Sequence, residues 1–336
     1  MDLEKIKTLL ADEPSYRYSQ AQKAIFSDMV DSWQSATALP QKIRDLLEKE
    51  APLDFNFETL RSVDRSTLKA LLKMEDGLVV ETVLLRHTTR RGHRNTVCVS
   101  SQAGCPMGCI FCRTAKAGYE RNLTPFEIAG QVLFFKYFLK NSGDRVSNVV
   151  YMGMGEPFLN YSNVISSIRI LNDREKFDIG ARKISVSTCG IPDKIEKLAS
   201  ENLQVNLAVS LNAATDKLRS SLMPVNNKYS LKMLMDAVRK YIEKTNRRVM
   251  FEYIMIKGIN DSVSHAEGLS LLLRGILCFV NLIPFNGTGE QKTPPEDVIN
   301  KFRSVLEKNG IAVTQRYSFG QDIFAACGQL VYSNNK

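Results

Sequence analysis

The chain has 336 residues, of which 44% are hydrophobic and 24% are charged, and it carries a net charge of +9. This composition excludes a disordered chain, and a chain of this length forms about two domains whose core needs no disulfide bonds. The excess of basic residues favours a polyanionic partner such as nucleic acid over a merely soluble basic surface.

The sequence predicts a cytoplasmic protein without membrane contact. The first five residues, Met1 to Lys5, are mostly charged and contain no apolar segment of the kind that a secretory signal has. Lys136 and Arg274 interrupt the most apolar stretches, so no run of about 18 apolar residues can form a membrane span. The seven cysteines are therefore expected to be reduced thiols, either buried or chemically active.

Residues 1–77 are predicted to form a small helical accessory domain that binds RNA. Apolar residues recur with helical spacing between Ser19 and Met29, and a charged helix is predicted from Gln41 to Glu50. Ser66 is predicted to cap a further helix that carries apolar residues from Leu68 to Leu72. The alternative is that this segment is the first layer of one larger fold.

Residues 78–100 are predicted to form a β-hairpin that leads into the core. Two apolar, β-branched runs, Leu78–Leu85 and Thr96–Ser100, flank the basic turn Arg86–Arg94, which contains a glycine. This turn either contacts phosphates or is a solvated loop, and the sequence favours neither.

Residues 101–336 are predicted to form an α/β core. Thr124, Pro125 and Glu127 match a helix start with a capping box, and Gly310 is expected to end another helix. Six apolar runs are predicted strands: Asn148–Met152, Lys183–Ser187, Val205–Val209, Val249–Ile254, Phe279–Ile283 and Ile311–Thr314. Their alternation with helices predicts a parallel sheet buried on both faces, but the pattern does not separate an open sheet from a barrel.

The strongest signal for chemistry is the C-x3-C-x2-C spacing of Cys105, Cys109 and Cys112. Three thiolates on one loop select an iron–sulfur cluster or zinc. A cubane cluster on three cysteines leaves one iron open for a substrate or cofactor, whereas a structural zinc needs a fourth ligand, for which His93 is the candidate. The loop follows a predicted strand at its carboxyl end, where α/β barrels place their active sites.

The cysteine spacing, with an aromatic Phe111 before the third cysteine, resembles the radical SAM superfamily. Five longer segments resemble the RlmN/Cfr family of radical SAM rRNA adenine methyltransferases: Val97–Cys105, Arg121–Thr124, Met152–Pro157, Met223–Tyr229 and Asp322–Leu330. The resemblance runs from about Leu78 to Leu330. It implies a radical SAM partial (β/α)6 TIM-like barrel, a [4Fe–4S] cluster on the three cysteines, and S-adenosyl-L-methionine (SAM) on the open iron.

The resemblance also implies SAM-binding residues at or just past the strand ends: Gly155, Glu156, Ser187, Ser210, Leu211, Asn212 and Asn286. Among them, Glu156 is expected to accept a hydrogen bond from the amino group of SAM. Two positions depart from the family pattern. Asn212 stands where histidine is common, and Arg113 stands where a small residue is usual.

Three catalytic residues are implied by the same resemblance. Cys327 would carry the methyl group, Cys98 would be its partner thiol, and Glu81 would accept a proton. The family scheme uses two SAM molecules per turnover: one methylates Cys327, and the other yields the radical that activates this methyl group for addition to adenine. Cys98 then attacks the Cys327 sulfur and leaves a transient disulfide. Either Glu81 or Cys98 takes the C2 proton. Cys189 and Cys278 match no catalytic position and are predicted to be core residues.

The implied activity is methylation of C2 of an adenosine in the peptidyl-transferase centre of 23S rRNA, with a tRNA anticodon-loop adenosine as a second substrate. Ala103 and Asn286 favour this type, whereas Ser318–Gly320 resembles the Cfr type, which methylates C8 of the same rRNA base. A non-catalytic, zinc-bearing RNA-binding module is the alternative of another class.

A monomer is expected, with an electron donor such as flavodoxin or ferredoxin. The candidate phosphate contacts are basic residues of the hairpin and the cysteine loop: Arg86, Arg90, Arg91, Arg94, Arg113, Lys116 and Arg121.

Overall fold

The computed structural model describes residues 3–53, 57–89, 92–286, 291–316 and 319–331. Within them the helices are α1 (Leu3–Leu9), α2 (Ser15–Phe26), α3 (Gln41–Glu50), α4 (Arg113–Lys116), α5 (Pro125–Lys140), α6 (Tyr161–Asn172), α7 (Pro192–Leu198), α8 (Asp216–Leu222), α9 (Leu231–Thr245), α10 (Val263–Leu272) and α11 (Glu296–Lys308). The strands are β1 (Glu58–Arg61), β2 (Thr67–Lys73), β3 (Val79–Thr89), β4 (Gly92–Cys98), β5 (Gln102–Gly104), β6 (Tyr119–Asn122), β7 (Val146–Tyr151), β8 (Ile184–Thr188), β9 (Asn206–Ser210), β10 (Val249–Met255), β11 (Cys278–Pro284) and β12 (Val313–Gln315).

One mixed sheet runs through the molecule in the order β1-β2-β3-β4-β7-β8-β9-β10-β11-β12, while β5 and β6 pair separately. From β4 to β12 every neighbouring pair of strands is parallel. Parallel neighbours require a crossover connection, and the crossover helices cover the apolar strands. The predicted series of βα units is therefore confirmed.

The parallel part of the sheet curves into a partial barrel. Cys98 on β4 and Arg316, which directly follows β12, line the same cavity although their strands lie at opposite ends of the parallel series. Strands that face each other across an interior belong to a barrel rather than to a flat sheet. The curvature decides between the two architectures that the sequence pattern left open.

The N-terminal segment is only partly helical. Helix α3 spans the predicted residues, and α2 begins earlier than predicted, at Ser15. The predicted helix after Ser66 is wrong, because Thr67–Lys73 is strand β2 between β1 and β3. Its leucines fit helical spacing, but apolar residues also occupy alternate positions at Leu68, Ala70 and Leu72, as in a strand. Pairing with β1 and β3 on both sides satisfies the backbone hydrogen bonds of the strand. The division of the chain at residues 77 and 100 stays a prediction.

The predicted hairpin is confirmed as β3 and β4, and it is longer than its apolar residues indicated. Leu85 pairs with Thr96, and pairing continues to Thr89 and Gly92. Because β4 is parallel to β7, this turn lies at the amino-terminal ends of the parallel strands. Arg90 and Arg91 lie outside the described residues.

Two predicted helix boundaries are confirmed by their capping geometry. The Glu127 amide donates to Thr124 Oγ1 over 3.2 Å, and the Thr124 amide donates to Glu127 Oε2 over 2.8 Å. Gly310, just past α11, has a φ of +79°, which favours glycine at a helix end. No helix among the described residues is long and apolar enough to cross a membrane.

Candidate active site

A cavity opens at the carboxyl ends of the parallel strands. Successive strands contribute to its wall: Cys98 from β4, Tyr151 from β7, Ser187 from β8, Ser210 from β9 and Glu252 from β10. All parallel strands end at one edge of the sheet, so side chains that are distant in sequence meet there.

Cys105, Cys109 and Cys112 also line this cavity. Their loop follows the short strand β5, which the sequence did not predict, and Gly104 at its end has a φ of +79°. A Cβ atom on Gly104 would lie 2.2 Å from the carbonyl oxygen of Gly118, so only glycine allows this approach. The Cys105 amide then donates to that oxygen over 2.7 Å and fixes the start of the loop.

The three thiols offer the donor set of a four-iron cluster, because they lie on one loop and line one cavity. A cubane takes each of its thiolate ligands on a separate iron. The side chain of His93, the candidate fourth zinc ligand, lies outside the described residues. Burial raises the pKa of Cys105 to about 12 and also raises that of Cys112, so ligation must release protons.

Glu156 is a buried carboxylate in the cavity wall. It accepts hydrogen bonds from the amides of Cys189 (2.7 Å) and Phe158 (3.0 Å), and burial raises its pKa. Gly155 before it has a φ of +99°, and a Cβ there would lie 2.6 Å from the side chain of Gln102. The glycine therefore lets the strand end approach β5, and Glu156 is fixed where it can face an ammonium group.

A second buried carboxylate, Glu252, was not predicted. Ser187 Oγ donates to it, and Ser210 Oγ lies 3.3 Å from it. A carboxylate between two hydroxyls can accept further hydrogen bonds from a polar ligand such as a sugar. The available signal was a glutamate inside the apolar run of β10, because a charge in a buried strand needs a partner or a function.

Three residues that are predicted to contact SAM do not line this cavity. Leu211 lies in the core, and the side chain of Asn212 accepts a hydrogen bond from the Ile254 amide over 2.8 Å. Asn212 has a φ of +60°, which asparagine tolerates better than most residues. Asn286 lines a smaller neighbouring cavity that Cys327 also lines.

Cys327 lies in a C-terminal segment that is fixed to the cysteine loop. The Arg113 amide donates to the Gly328 carbonyl over 2.9 Å, and Thr114 Oγ1 donates to the Leu330 carbonyl over 2.7 Å. Both donors belong to the short helix after Cys112. The segment therefore holds Cys327 in the wall of the cavity that the cluster cysteines line.

Cys98 and Cys327 are free thiols in the same cavity. Burial, together with the nearby Cys327, raises the pKa of Cys98 to about 12, although the Arg316 guanidinium opposes this rise. The two cysteines are thus brought together as the sequence predicts. Arg316 was missed, because an arginine after a short strand has no distinctive sequence pattern.

Glu81 is buried but does not line the cavity. It forms an ion pair of 2.9 Å with Lys69, and its other oxygen accepts from the Val331 amide over 2.9 Å. It shares a strand face with Val83, which does line the cavity. Glu81 therefore anchors the C-terminal segment, and its role as a proton acceptor stays a prediction.

Cys189 packs against a small apolar cluster, and it also reaches the cavity, which the sequence did not predict. Its thiol forms a hydrogen bond with the thiol of Cys109, which lowers the pKa of Cys109 and raises that of Cys189. Cys189 directly follows the end of β8, and the sequence alone does not show that this strand end faces the cysteine loop. Cys278, by contrast, packs against the main core.

Several candidate phosphate contacts already have carboxylate partners. Arg121 lies 2.5 Å from Asp76 and 2.7 Å from Glu127, and Arg86 lies 2.6 Å from Asp144. These arginines are engaged within the protein.

The remaining described candidates lie at opposite ends of the barrel. Arg113 and Lys116 belong to the helix after the cysteine loop, at the carboxyl end. Arg94 is exposed near the start of β4, at the amino end. The hairpin and the cysteine loop therefore do not form one basic patch.

Comparison with known proteins agrees with this geometry. Residues 99–266 match the family model of the radical SAM superfamily. The chain is 43% identical over 333 residues to the "probable dual-specificity RNA methyltransferase RlmN" of Dictyoglomus thermophilum, which covers 98% of this chain and 94% of that protein. It is 44% identical over 318 residues to the protein of the same name from Thermotoga maritima, covering 94% and 91%.

A solved structure is similar over almost the whole fold. The crystal structure of a radical SAM methyltransferase from Sphaerobacter thermophilus matches with a TM-score of 0.90 and 42% identity, covering 98% of this chain and 97% of that one. The identity to the curated relatives extends through both the N-terminal segment and the C-terminal segment that carries Cys327. The chain therefore belongs to the radical SAM superfamily and, within it, to the RlmN family.

Proposed function

We propose that this chain methylates C2 of an adenosine in the peptidyl-transferase centre of 23S rRNA, and also an adenosine of tRNA. The observation that carries the proposal is one cavity that Cys98 and Cys327 line together with the three cysteines of the cluster motif. The relatives named as dual-specificity RNA methyltransferases support RNA as the substrate.

The target atom explains why this cavity needs a cluster. An adenine C2–H carbon is electron-poor and is not a nucleophile, so direct displacement from SAM cannot methylate it. When bound, a [4Fe–4S] cluster and SAM supply a methyl group and a carbon-centred radical. Cys105, Cys109 and Cys112 would hold the cluster. Glu156 would accept hydrogen bonds from the SAM amino group.

The remaining wall residues have complementary tasks. Ser187 and Ser210, both beside Glu252, would orient SAM through its polar groups. Cys327 would accept a methyl group on its sulfur and present it to the base. Once the methylene carbon is bonded to the base, the Cys98 thiolate would attack that sulfur and form a disulfide. The electron pair of the broken carbon–sulfur bond would stay with the carbon, which takes up a proton and becomes the methyl group. Thiol exchange would then restore both cysteines.

The target base must leave its stack to reach this cavity. Lys and Arg side chains would give RNA binding its salt dependence. We further propose two SAM molecules per turnover, a flavodoxin or ferredoxin as electron donor, a monomeric enzyme and a cytoplasmic location.

Mass spectrometry of RNA tests the proposal. The chain is expressed in bacteria that lack the native modification, and nucleosides from 23S rRNA and tRNA are analysed separately. We expect 2-methyladenosine in both, and none with the matched Cys327→Ala variant. Formation of 8-methyladenosine would assign the Cfr type of activity instead. Iron and sulfide analysis of the purified protein distinguishes an inactive enzyme from a zinc-bearing RNA-binding module.

A further inference from the structure

We infer that the amino-terminal end of the barrel contains a second, basic cavity that binds phosphodiester groups of the RNA. The identity of the ligand as RNA rests on the proposed function. The cavity itself rests on the structure alone. It is called the basal cavity below and is defined by Arg94, Arg247, Arg248, Asn206 and Arg316 together with their neighbours.

The basal cavity lies at the opposite end of the parallel strands from the cysteines. Its wall contains residues near the strand starts, such as Ser185 of β8, Asn206 of β9 and Met250 of β10. It has a volume of about 810 Å³. The two cavities share Leu85, Met152 and Arg316 in their walls, whereas Arg94 and Cys98, four residues apart on β4, lie roughly 13 Å apart along the strand.

The wall of the basal cavity carries an excess of positive charge. Arg94, Arg247, Arg248 and Arg316 line it, and none of its described lining residues is an aspartate or glutamate. Across the described ranges, Arg94, Arg247 and Arg248 form no ion pair with a carboxylate, unlike the engaged arginines near the hairpin. Arginines gathered in this way repel one another, and an anion removes that repulsion.

The hydrogen-bonding state of these arginines leaves donors for a ligand. Arg247 Nη2 donates to Asn206 Oδ1 over 3.1 Å, but its buried Nε has no hydrogen-bond partner. Arg248 lies 4.4 Å from the centre of the Phe279 ring, which positions its guanidinium without using its N–H groups. Guanidinium groups bind phosphate oxygens in a bidentate manner.

A neighbouring histidine reports the same positive potential. The pKa of His87 is lowered, first by burial and then by the charges of Arg94 and Arg316. All three residues line the basal cavity. A phosphate bound between them would reverse the part of this shift that the arginines cause.

An RNA backbone suits this wall better than a free nucleotide. The Phe279 ring is already covered by Arg248, so no described arrangement offers it for stacking with a base. The described ends of β3 and β4 lie at the same end of the barrel, and exposed Arg94 lies there on β4. A chain of phosphates can follow such a surface, and the base to be methylated then reaches the cysteine cavity from the same RNA.

Salt-dependent RNA binding tests this inference on the full, cluster-loaded protein. The probe is a 23S rRNA fragment that contains the peptidyl-transferase loop, and the dissociation constant is measured from about 50 to 300 mM KCl. The test variant is Arg247→Gln/Arg248→Gln. The matched control is Arg239→Gln/Lys240→Gln, which removes two charges from the exposed side of α9, where both residues pair with carboxylates.

We expect the test variant to bind about tenfold more weakly and to reduce the slope of log K against log salt by about 1.4, since each lost single-strand phosphate contact removes about 0.7. The control should keep the wild-type slope. The single variant Arg94→Gln should reduce the slope of log K against log salt by about half as much. Because Arg94 lies on another strand, this result would show that the effect does not come from a folding defect near Arg247.

Three outcomes would overturn the inference. The first is an equal slope for the test and control variants. The second is normal RNA binding by both Arg247→Gln/Arg248→Gln and Arg94→Gln. If the wild type still methylates RNA in that case, the proposed function stays intact. The third is displacement of the RNA by adenosine monophosphate in the wild type alone at low millimolar concentration, which would assign the basal cavity to a free nucleotide. Absence of RNA methylation by the wild type would instead count against the proposed function.

Discussion

The two ends of the parallel sheet differ in the kind of side chain that the same strands present. The carboxyl end gathers thiols and buried carboxylates, with Glu156 and Glu252 in its wall. The amino end gathers arginines, such as Arg247 and Arg248, without a carboxylate among its described lining residues. The same strands thus place the reactive cysteines at their carboxyl ends and Arg247 and Arg248 at their amino ends.

Burial explains why the two sets are kept apart. Low-dielectric surroundings keep the thiol of Cys98 protonated, since burial raises its pKa to about 12. Arginines stay charged wherever they lie, and they cost least where water reaches them. The carboxyl end, where Cys98 and Glu156 are buried, therefore suits groups that must change their protonation during a reaction.

The largest expected effect is at the carboxyl end. Cys327→Ala removes the methyl carrier, so methylated base should fall below detection, and no RNA should be bound covalently to the protein. Cys98→Ala keeps the carrier but lacks the resolving thiol, so RNA should stay attached to Cys327. Denaturing gels of the two variants purified from cells check this.

An RNase-sensitive, slow-migrating band is expected only for Cys98→Ala. If these cysteines were structural, both variants would lose stability to a similar extent and neither would trap RNA. An active Cys327→Ala enzyme without a trapped species in Cys98→Ala would reject the covalent route.

The second test concerns the iron content of the same end. Cys109→Ser should lose most of the reconstituted iron, because two thiolates from this loop cannot hold a cubane. Cys189→Ser is the matched control, because the thiol of Cys189 forms a hydrogen bond with Cys109 but Cys189 is not part of the three-cysteine motif. Iron and sulfide counts with visible absorbance measure both. Equal losses would make Cys189 a cluster ligand and would break the assignment of the three-cysteine motif.

How far the sequence predicts this molecule depends on the range of the contacts involved. The six strands predicted from apolar runs and the capping box at Thr124 follow from local patterns, and the structure confirms them. Strand β2 does not, because its pairing with β1 and β3 outweighs a helical spacing of leucines. Contacts between side chains that are distant in the sequence are harder still to predict. The sequence could not show that Cys189 meets Cys109, or that Glu81 pairs with Lys69.

The third test asks whether Glu81 belongs to the chemistry or to the scaffold. Lys69→Met should destabilise the protein by about 3–5 kcal/mol, because it leaves a buried carboxylate unpaired. The double variant Lys69→Met/Glu81→Gln should recover most of this loss. Urea unfolding of both variants measures the difference.

The double variant also tests proton acceptance. If it folds and still forms methylated adenosine at the wild-type rate, Glu81 is a positioning residue for the C-terminal segment through its bond to Val331. Cys98 then becomes the proton acceptor. If the double variant folds but is inactive, the prediction for Glu81 as a proton acceptor is supported.

The smallest expected effect is at Arg316, which lines both cavities. Its charge lowers the pKa of Cys98, while burial and Cys327 raise it. Because a thiolate is the attacking species, the resolving step should accelerate about tenfold per pH unit from roughly pH 7 to 9, below the raised pKa. Arg316→Gln removes the charge that opposes this rise, so resolution should slow at each pH while keeping the same slope.

Single-turnover reactions quenched at intervals follow the decay of the covalent RNA–protein species. Arg316→Lys keeps a positive charge and should restore most of the rate, which a loss of packing alone would not allow. A weaker affinity for RNA with an unchanged decay rate would assign Arg316 to the basal cavity only. A decay rate independent of pH would mean that deprotonation of Cys98 does not limit resolution, and the electrostatic link between the two ends of the barrel would then have no part in the reaction.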